Sequence, residues 1–237
     1  MTNIENLLLA ALPEKDLQRV MPQLEIIPLK LKELLHKPGE RIDYVYFPGV
    51  GFCSIVTVLE DGSMVEAAAV GREGLVGLTA AASTETPPSI ASMAQSDITI
   101  CYRMKAENFR REIQRCGPFN AIVTRYSQAL MGCVMQSAAC NASHSIEQRL
   151  ARWLLSAQDR VDADEFLLTQ EFIAMMLGAS RSTVSEVAGE LQKAGYITYH
   201  RGRVTILDRT ALEAAACECY RTSMNLLKAV IDPTMSN

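Results

Sequence analysis

Residues Leu167–Leu207 read LLTQEFIAMMLGASRSTVSEVAGELQKAGYITYHRGRVTIL, a pattern of helix, tight turn, helix and hairpin. Thr169 is a suitable N-cap, and apolar residues at helical spacing predict a short first helix after it. Gly178 then interrupts the pattern where a sharp turn requires a residue without a Cβ atom. Ser180 is a suitable N-cap for a second helix, and Gly195 marks the end of that helix. Two helices joined by so short a glycine-containing turn predict a helix-turn-helix.

The second of these helices has an apolar stripe and an opposite face that is polar near its N-terminus. In a helix-turn-helix, the N-terminal residues of the second helix reach base edges in the major groove of DNA. Arginine can donate two hydrogen bonds to guanine, glutamate can accept one from cytosine N4, and serine can pair with several bases. Arg181 is our first candidate for base contact, and the full candidate set is Arg181, Ser182, Ser185 and Glu186.

The hairpin that follows has a basic tip. Tyr196–Tyr199 and Arg203–Ile206 alternate in polarity like two strands around the turn His200-Arg201-Gly202. Such a wing is suited to contacts with phosphates, which position a protein on DNA without reading its sequence. The candidates for contact with the DNA backbone are Thr169, Gln170, Ser180, Thr183, Arg201 and Arg203.

The segment 178–197, GASRSTVSEVAGELQKAGYI, resembles the DNA-binding segment of the Crp/Fnr family of bacterial transcription regulators. The resemblance covers the helix-turn-helix and the wing closely and the rest of the chain in outline. It implies an α+β fold with an N-terminal antiparallel β-roll, a long dimerisation helix and a C-terminal winged helix-turn-helix. We therefore expect a cyclic-nucleotide-binding-like sensor roll over residues 1–116, a dimerisation helix and hinge over 117–143, and a DNA-binding domain over 144–237. Apolar spacing further predicts helices over residues 4–12, 146–161 and 209–230, and residues 159–165 are expected to form an acidic loop before the helix-turn-helix. Glu186 stands where some family members carry arginine, which implies a different operator sequence.

The region from Leu24 to Tyr102 has the sequence pattern of an all-β unit. Short segments rich in Ile, Val and Leu alternate with turn signals, and Asp61-Gly62 is a strong hairpin signal. Several short strands at near-regular spacing predict an antiparallel roll or barrel. The pieces KPGE, IDYVYFP and VGREGLVG resemble the cyclic-nucleotide-binding-like roll of the Crp/Fnr family.

A long and nearly uncharged helix is predicted after Gly117, because Arg125 is the only charged residue before His144. A helix that is apolar nearly all round has to be covered on more than one side. One side can lie on the roll and the other can meet a second copy, as the resemblance implies for a dimerisation helix; the alternative is the central core helix of a monomer. The candidate dimer contacts are Phe119, Ile122, Tyr126, Ala129, Leu130 and Cys133.

The resemblance raises the question of a cyclic nucleotide, which the family binds through a Gly-Glu pair for the ribose and an Arg-Ser pair for the phosphate. Gly71-Arg72-Glu73-Gly74 matches the first pair imperfectly, and Pro88-Ser89-Ile90-Ala91 stands at the second without an arginine. No Lys or Arg occurs between Glu73 and Tyr102, although a buried phosphodiester needs a cation or several backbone donors. We therefore expect that cyclic AMP is not bound in the usual family manner. The effector stays unknown, with Arg72 and Glu73 as candidate residues.

Seven cysteines are scattered along the chain. Cys217-Glu218-Cys219 and the pair Cys133 and Cys140 lack the usual spacing of a tetrahedral zinc site, so we predict no metal site and no cofactor. An iron–sulfur cluster requires four cysteine ligands, and the family's cluster-binding members carry a group near the N-terminus, whereas the first cysteine here is Cys53. Two alternatives for a redox or gas sensor stay open, namely haem at one of the histidines 36, 144 or 200, and thiol oxidation at cysteine 133, 140, 217 or 219.

Other classes of protein have less support. There is neither a P-loop nor a dinucleotide fingerprint, and Cys140 with His144 lacks a third orienting residue, so an enzyme is not expected. The net charge is −4, but residues 178–209 carry five basic against three acidic residues, which suits a DNA-binding module on an acidic body. No apolar run could span a bilayer, and the N-terminus lacks the features of a signal peptide, so we expect a cytoplasmic protein without a membrane partner.

The sequence thus predicts a homodimeric, sequence-specific transcription regulator that binds a palindromic site through a recognition helix over residues 180–191. The expected partners are double-stranded DNA and a second copy of the chain, with RNA polymerase as a further candidate. The competing hypothesis is a winged helix that serves protein contacts without DNA.

Overall fold

Two short helices open the chain in the computed structural model, which describes residues 4–232. Helix α1 spans Leu7–Ala10 and helix α2 spans Glu14–Val20. The helix predicted over residues 4–12 is shorter because Asn6 acts as its N-cap and accepts a hydrogen bond from the Leu9 backbone amide. The Asn6 side chain is fully buried and also donates to the backbone carbonyls of Pro48 and Gly74, at 2.9 Å each. This residue therefore fixes the N-terminal helices to the roll.

The strands of the roll are β1 Leu24–Leu29, β2 Leu34–His36, β3 Tyr44–Pro48, β4 Cys53–Val58, β5 Met64–Val70, β6 Ile90–Ala94 and β7 Ile98–Lys105. They form two antiparallel sheets with strand orders β1-β7-β3 and β2-β6-β4-β5, which confirms the predicted antiparallel architecture. The hairpin signal at Asp61-Gly62 is also confirmed, because β4 and β5 pair in antiparallel fashion on either side of it. Cys53 lies opposite Val70 at the far end, and Val58 lies opposite Met64 beside the turn. Gly62 adopts a φ of +81° in this turn, a conformation that favours glycine.

Two helices follow the roll and close its core. Helix α3 spans Ala106–Gln114 and the long helix α4 spans Pro118–Ser143. Phe109 and Phe119 meet edge to face with ring centroids 5.8 Å apart, and both are buried with the apolar side chains of the roll. Among the described helices, which lie within residues 4–232, none combines the length and apolarity needed to cross a bilayer.

The second unit is built on helix α5, which spans Ile146–Val161 as predicted. Helix α6 (Gln170–Leu177) and helix α7 (Arg181–Lys193) follow it, and strands β8 (Glu165–Leu167), β9 (Ile197–His200) and β10 (Arg203–Ile206) form a sheet of order β8-β10-β9. The wing therefore has three strands, because β10 pairs with β8 at the end of the segment that was expected to be an acidic loop.

The C-terminal region contains two helices where the sequence predicted one. Helix α8 spans Arg209–Ala215 and helix α9 spans Cys219–Ile231, and the chain between them is extended at Ala216. Helix α9 packs along α4, with Leu227 and Val230 in the apolar core of the roll. The predicted boundary assigned this helix to the second unit, but its principal packing is against the first.

The two units are packed against each other. Apolar side chains of the roll, such as Phe52 and Met93, share one buried cluster with α5, α6 and α7. Polar contacts cross the same boundary: Trp153 Nε1 donates to Glu66 Oε1 at 2.9 Å, and Arg160 forms an ion pair with Glu73 at 2.7 Å. The polar contacts named here thus come from α5, and α6 packs against β5.

Candidate DNA-binding surface

The helix-turn-helix is formed by α6 and α7 as predicted. The Thr169 hydroxyl accepts a hydrogen bond from the Phe172 amide at 3.2 Å and caps α6. Gly178 ends this helix with a φ of +58°, the left-handed conformation for which a Cβ atom is unfavourable. The Ser180 hydroxyl then accepts from the Thr183 amide at 3.1 Å and starts α7. Two side-chain caps and one glycine therefore define the start of α6, the turn and the start of α7.

The N-terminal end of α7 is free of the protein body. Val184, Ala188 and Leu191 are buried on the inner side of the helix. The four candidates for base contact all have exposed side chains on the outer side: Arg181, Ser182, Ser185 and Glu186. The Arg181 guanidinium has no hydrogen-bond or ion-pair partner within residues 4–232. A free charge is thus presented where a major groove would meet the helix.

The two serines of this set have partners of their own. Ser185 Oγ donates to Gln170 Oε1 at 2.7 Å, and Ser182 Oγ lies 2.8 Å from Ser180 Oγ. Both contacts are at the exposed surface, where water or a base can replace them. The serines are consequently held in position and not buried.

The candidates for backbone contact differ in their availability. Thr169 and Arg201 are exposed, and Gln170 and Thr183 are half-buried beside them. Ser180 is exposed, but its hydroxyl is occupied in capping α7 and lies 2.8 Å from Thr183 Oγ1. Arg203 is exposed and forms an ion pair with Glu165 at 2.9 Å. Arg201 is therefore the freer of the two wing arginines.

The tip of the wing is a two-residue turn. Arg201 and Gly202 both have positive φ, +49° and +76°, as a type I′ turn requires. The sequence suggested a three-residue turn, but His200 pairs with Arg203 and belongs to the strands. The Gly202 carbonyl accepts from the Leu168 amide at 2.7 Å, which links the wing to the start of the helix-turn-helix.

The candidate dimer contacts on α4 lie inside the chain. Tyr126 is 1% exposed, and its hydroxyl donates to the Leu75 carbonyl at 3.2 Å. Leu130 is half-buried, and the remaining residues of the set are buried against the roll or α9: Phe119, Ile122, Ala129 and Cys133. In this arrangement the chain's own core covers the five buried residues of the set and part of Leu130.

A different face of α4 is exposed. Its positions recur with spacings of three and four residues, the heptad pattern of a coiled-coil seam. At the centre of this face, Met131 is 57% and Met135 64% exposed. Its members are Ala121, Thr124, Gln128, Met131, Met135, Ala138 and Ala142. Sequence periodicity does not single out this face, because α4 is apolar or weakly polar on both sides and its inner side has the larger side chains.

The effector candidates Arg72 and Glu73 lie near the contact between the roll and α5. Glu73 Oε1 accepts a hydrogen bond from Arg160 Nε at 2.8 Å and another from the Gly71 amide at 3.1 Å. Arg72 is partly exposed, with Nη1 4.0 Å from the Asp162 carboxylate. Both residues border a cavity of about 200 Å³ that is also lined by α9. Glu73 is therefore engaged by an arginine of the same chain.

Three cysteines and one histidine meet at the end of α4. Cys140 and His144 come from α4 and its C-cap, and Cys217 and Cys219 come from the junction of α8 and α9. Burial raises the pKa of Cys140 and of Cys217, for Cys217 to about 12, so the free thiols are neutral. The prediction of no metal site rested on local spacing and missed this group, because Cys140 and Cys217 are 77 residues apart.

The other residues considered for a sensor are dispersed. His36 lies in the roll, where Nε2 is 2.9 Å from the Tyr44 carbonyl and burial lowers the histidine pKa. His200 is exposed in the wing. Cys133 lies on the inner side of α4, and burial raises its pKa. These residues do not meet at a common site.

Residues 148–215 match the family model of the Crp-like helix-turn-helix domain. This segment runs from α5 to α8 and includes the helices, the wing and all ten candidate DNA contacts. The chain has no significant match among curated protein sequences.

Solved structures show the same fold over most of the chain. A CRP-family transcriptional regulator of Thermus thermophilus is 23% identical, with a TM-score of 0.67 over 80% of this chain and 96% of that one. A protein of Eubacterium rectale assigned to the Crp/Fnr regulators is 20% identical, with a TM-score of 0.65 over 88% and 96%. The c-di-GMP-responsive global regulator CLP of Xanthomonas campestris is 14% identical, with a TM-score of 0.65 over 82% and 99%. Residues 148–215 are therefore a Crp-like helix-turn-helix domain, in a chain that has the fold of Crp/Fnr transcriptional regulators.

Proposed function

We propose that the chain is a sequence-specific transcription regulator that binds a palindromic DNA site as a homodimer. The observation that carries this proposal is the exposed N-terminal end of α7 in a Crp-like helix-turn-helix domain, with Arg181 unpaired within the described residues. An unpaired arginine at this place supports base readout, because it needs no rearrangement before it meets guanine.

The base contacts follow from the geometry of α7. Arg181 and Ser185 are one turn apart, as are Ser182 and Glu186, so the four side chains form two neighbouring rows. We assign guanine recognition to Arg181 and acceptance from cytosine N4 to Glu186. The serines adjust to the neighbouring bases.

The backbone contacts are assigned to the wing and the start of α6. Arg201 at the wing tip is free, whereas Arg203 has to leave Glu165 before it can bind a phosphate. Thr169, Gln170, Ser180 and Thr183 supply hydroxyl and amide groups on the same surface. Contacts of this kind position the protein and make its affinity depend on salt.

The dimer is assigned to the exposed face of α4. Two copies that pack through the seam from Ala121 to Ala142 would bury Met131 and Met135, which a lone chain leaves in water. A two-fold axis along this seam would present two recognition helices to half-sites about 34 Å apart. RNA polymerase is a further candidate partner of such a regulator, whose place of action would be the cytoplasm.

Selection of bound fragments from a random DNA pool, followed by footprinting, tests the proposal. We expect a palindromic protected site with half-site centres about 10 base pairs apart, or a multiple of that. Retention of all sequences alike, or of none, would contradict the proposal and favour a winged helix that contacts proteins.

We further propose that cyclic AMP is not bound in the usual family manner. Glu73 is occupied by Arg160, and no Lys or Arg between Glu73 and Tyr102 is present to neutralise a phosphate. Calorimetric titration should show no binding of cyclic AMP at micromolar concentration, and a micromolar dissociation constant would refute this proposal.

A further inference from the structure

Four potential metal ligands converge where the end of α4 meets the start of α9. Their ligand atoms, which are three sulfurs and one imidazole nitrogen, all lie within 4.8 Å of one another. The Cys140 and Cys217 sulfurs are 3.5 Å apart, and Cys219 Sγ is 3.6 Å from His144 Nδ1. In a tetrahedral zinc site with Zn–S bonds of about 2.3 Å, neighbouring ligand atoms lie about 3.7 Å apart. The group is therefore nearly the size of a zinc coordination shell.

The imidazole of His144 is oriented for coordination. Its Nε2 lies 3.2 Å from the Glu218 carboxylate, whose negative charge favours a proton on Nε2. With the proton on Nε2, Nδ1 has a free lone pair on the side of the Cys219 sulfur. A carboxylate behind a histidine ligand is a common outer contact of zinc sites, because it fixes the tautomer and the ring orientation.

The surroundings suit bound thiolates. Gln136 Nε2 lies 3.0 Å from Cys219 Sγ and can donate a hydrogen bond to it. Arg149 and Arg152 of α5 each have a buried Nε without a partner among the residues described, and both interact electrostatically with Cys140. Zinc with three thiolates and a neutral imidazole carries a net charge of −1, which these guanidinium groups can balance.

We propose that Cys140, His144, Cys217 and Cys219 bind one zinc ion per chain. On binding, the three thiols release their protons to water, and zinc exchanges water ligands for three thiolates and Nδ1. Four protein ligands leave no open position, which is typical of a structural site. His144 retains 16% side-chain exposure, so the ion can enter past the imidazole.

The expected effect is to join two segments that are distant in the sequence. The break between α8 and α9 at Ala216 brings Cys217 and Cys219 to α4, and α9 then runs along α4. Zinc would thus hold α9 against the inner side of the helix whose outer side forms the exposed seam. This proposal does not depend on DNA binding.

Metal analysis of the full chain tests it. Protein purified under reducing conditions should contain about one zinc per chain, and removal by a chelator should be reversed by added zinc. Cobalt titrated into the metal-free chain should give sulfur-to-cobalt charge transfer and the intense visible bands of tetrahedral coordination. Cys217→Ser and His144→Asn should each abolish or strongly reduce both signals, whereas Cys116→Ser, at an exposed cysteine away from the cluster, should leave them unchanged.

A variant that keeps all four ligands tests the site without the risk that loss of a ligand unfolds the chain. Glu218→Gln keeps all four ligands and should weaken zinc affinity by roughly 10- to 100-fold, while Glu60→Gln on the roll surface should not. Circular dichroism would verify that each variant is folded. A folded, reduced protein that binds neither zinc nor cobalt would overturn the proposal, as would a Cys140–Cys217 disulfide in protein purified under reducing conditions or bound iron with a cluster absorption spectrum.

Discussion

The arginines of the second unit differ in whether a carboxylate of the same chain pairs with their guanidinium group. Arg160, Arg203 and Arg209 are each paired with a carboxylate, at 2.7 Å, 2.9 Å and 2.8 Å respectively. Arg181 has no such partner within the described chain, so its charge is available to an external ligand. This contrast supports a contact role for Arg181 and a structural role for Arg160 and Arg209.

Replacing Arg181 by Ala should weaken binding to the selected DNA site by about 1–3 kcal/mol and relax the preference at one base pair. The reason is the loss of two hydrogen bonds to a guanine edge. Fluorescence anisotropy with the selected site and its single-base variants measures both effects. Lys193→Ala, at the far end of α7, is the matched control and should keep the preference. An equal loss on every sequence would mean that Arg181 touches only phosphate.

Glu66 predicts a dependence of stability on pH. Burial raises its pKa above the ordinary value of 4.5, although Ser54 and Trp153 donate hydrogen bonds to the carboxylate. Because the pKa of Glu66 is higher in the folded than in the unfolded chain, protonated Glu66 stabilises the folded state. This contribution to the free energy of unfolding is fully present below pH 4.5 and is lost as pH rises through the folded pKa.

Glu66→Gln should therefore remove part of the fall in stability that the native chain shows above pH 4.5. Urea denaturation at a series of pH values from about 4 upward, with Glu60→Gln as the exposed control, measures the difference. Identical pH profiles for the native and Glu66→Gln chains would show that the carboxylate is not desolvated.

Helix α4 has two apolar faces, and the described chain buries only the inner one. The inner face holds Tyr126 and Cys133 against the roll and α9, and Gly132 admits Leu226, whose Cδ1 lies 3.0 Å from the position of a Cβ at Gly132. The outer face carries Met131 and Met135 and contacts no part of the described chain closely enough to bury them. We therefore expect the outer face to supply the symmetric contact of the proposed dimer.

Met135→Glu, at the centre of the outer face, should convert the dimer to a monomer. A carboxylate would face its own copy across the two-fold axis and would lose water contact on association. Sedimentation equilibrium measures the change. Leu59→Glu, at a 48% exposed apolar position of the roll, is the control and should remain dimeric. A dimer that survives Met135→Glu would place the interface elsewhere.

At the scale of the whole molecule, α5 couples the roll to the DNA-binding unit. The Arg160 side chain is 9% and the Glu73 side chain 15% exposed, and Arg160 also donates to the Ala69 carbonyl of β5. A buried pair of this kind resists the removal of one partner, because the other is left as an unpaired charge. Movement of the second unit against the roll would have to break this pair or carry both residues along.

Arg160→Gln should therefore destabilise the chain by about 3 kcal/mol, and the additional change Glu73→Gln should restore part of the loss. Urea denaturation of both single variants and the double variant gives the coupling energy. Arg203→Gln, which breaks an exposed pair, should cost less than about 1 kcal/mol. Additive effects of the Arg160 and Glu73 changes would contradict a direct coupling.

Local signals in the amino-acid sequence are sufficient to specify the helices and turns of this protein. Caps and glycines at Thr169, Gly178 and Ser180 define the helix-turn-helix, because they act on their own backbone neighbours. The Asp61-Gly62 hairpin and the boundaries of α5 follow in the same way from turn chemistry and helical spacing. The exposure of the α7 tip was also predictable, since its polar residues stand opposite an apolar stripe.

Long-range packing, in contrast, fixes which face of α4 is covered and which residues meet across the chain. Periodicity shows that a face is apolar but does not show what packs on it, so the predicted dimer contacts fall on the side that the chain's own core covers. The break at Ala216, which turns α9 back onto α4, has no strong local signal. Cys140 and Cys217 become neighbours through that packing alone, because their separation of 77 residues is closed by tertiary contacts and by nothing in the local sequence.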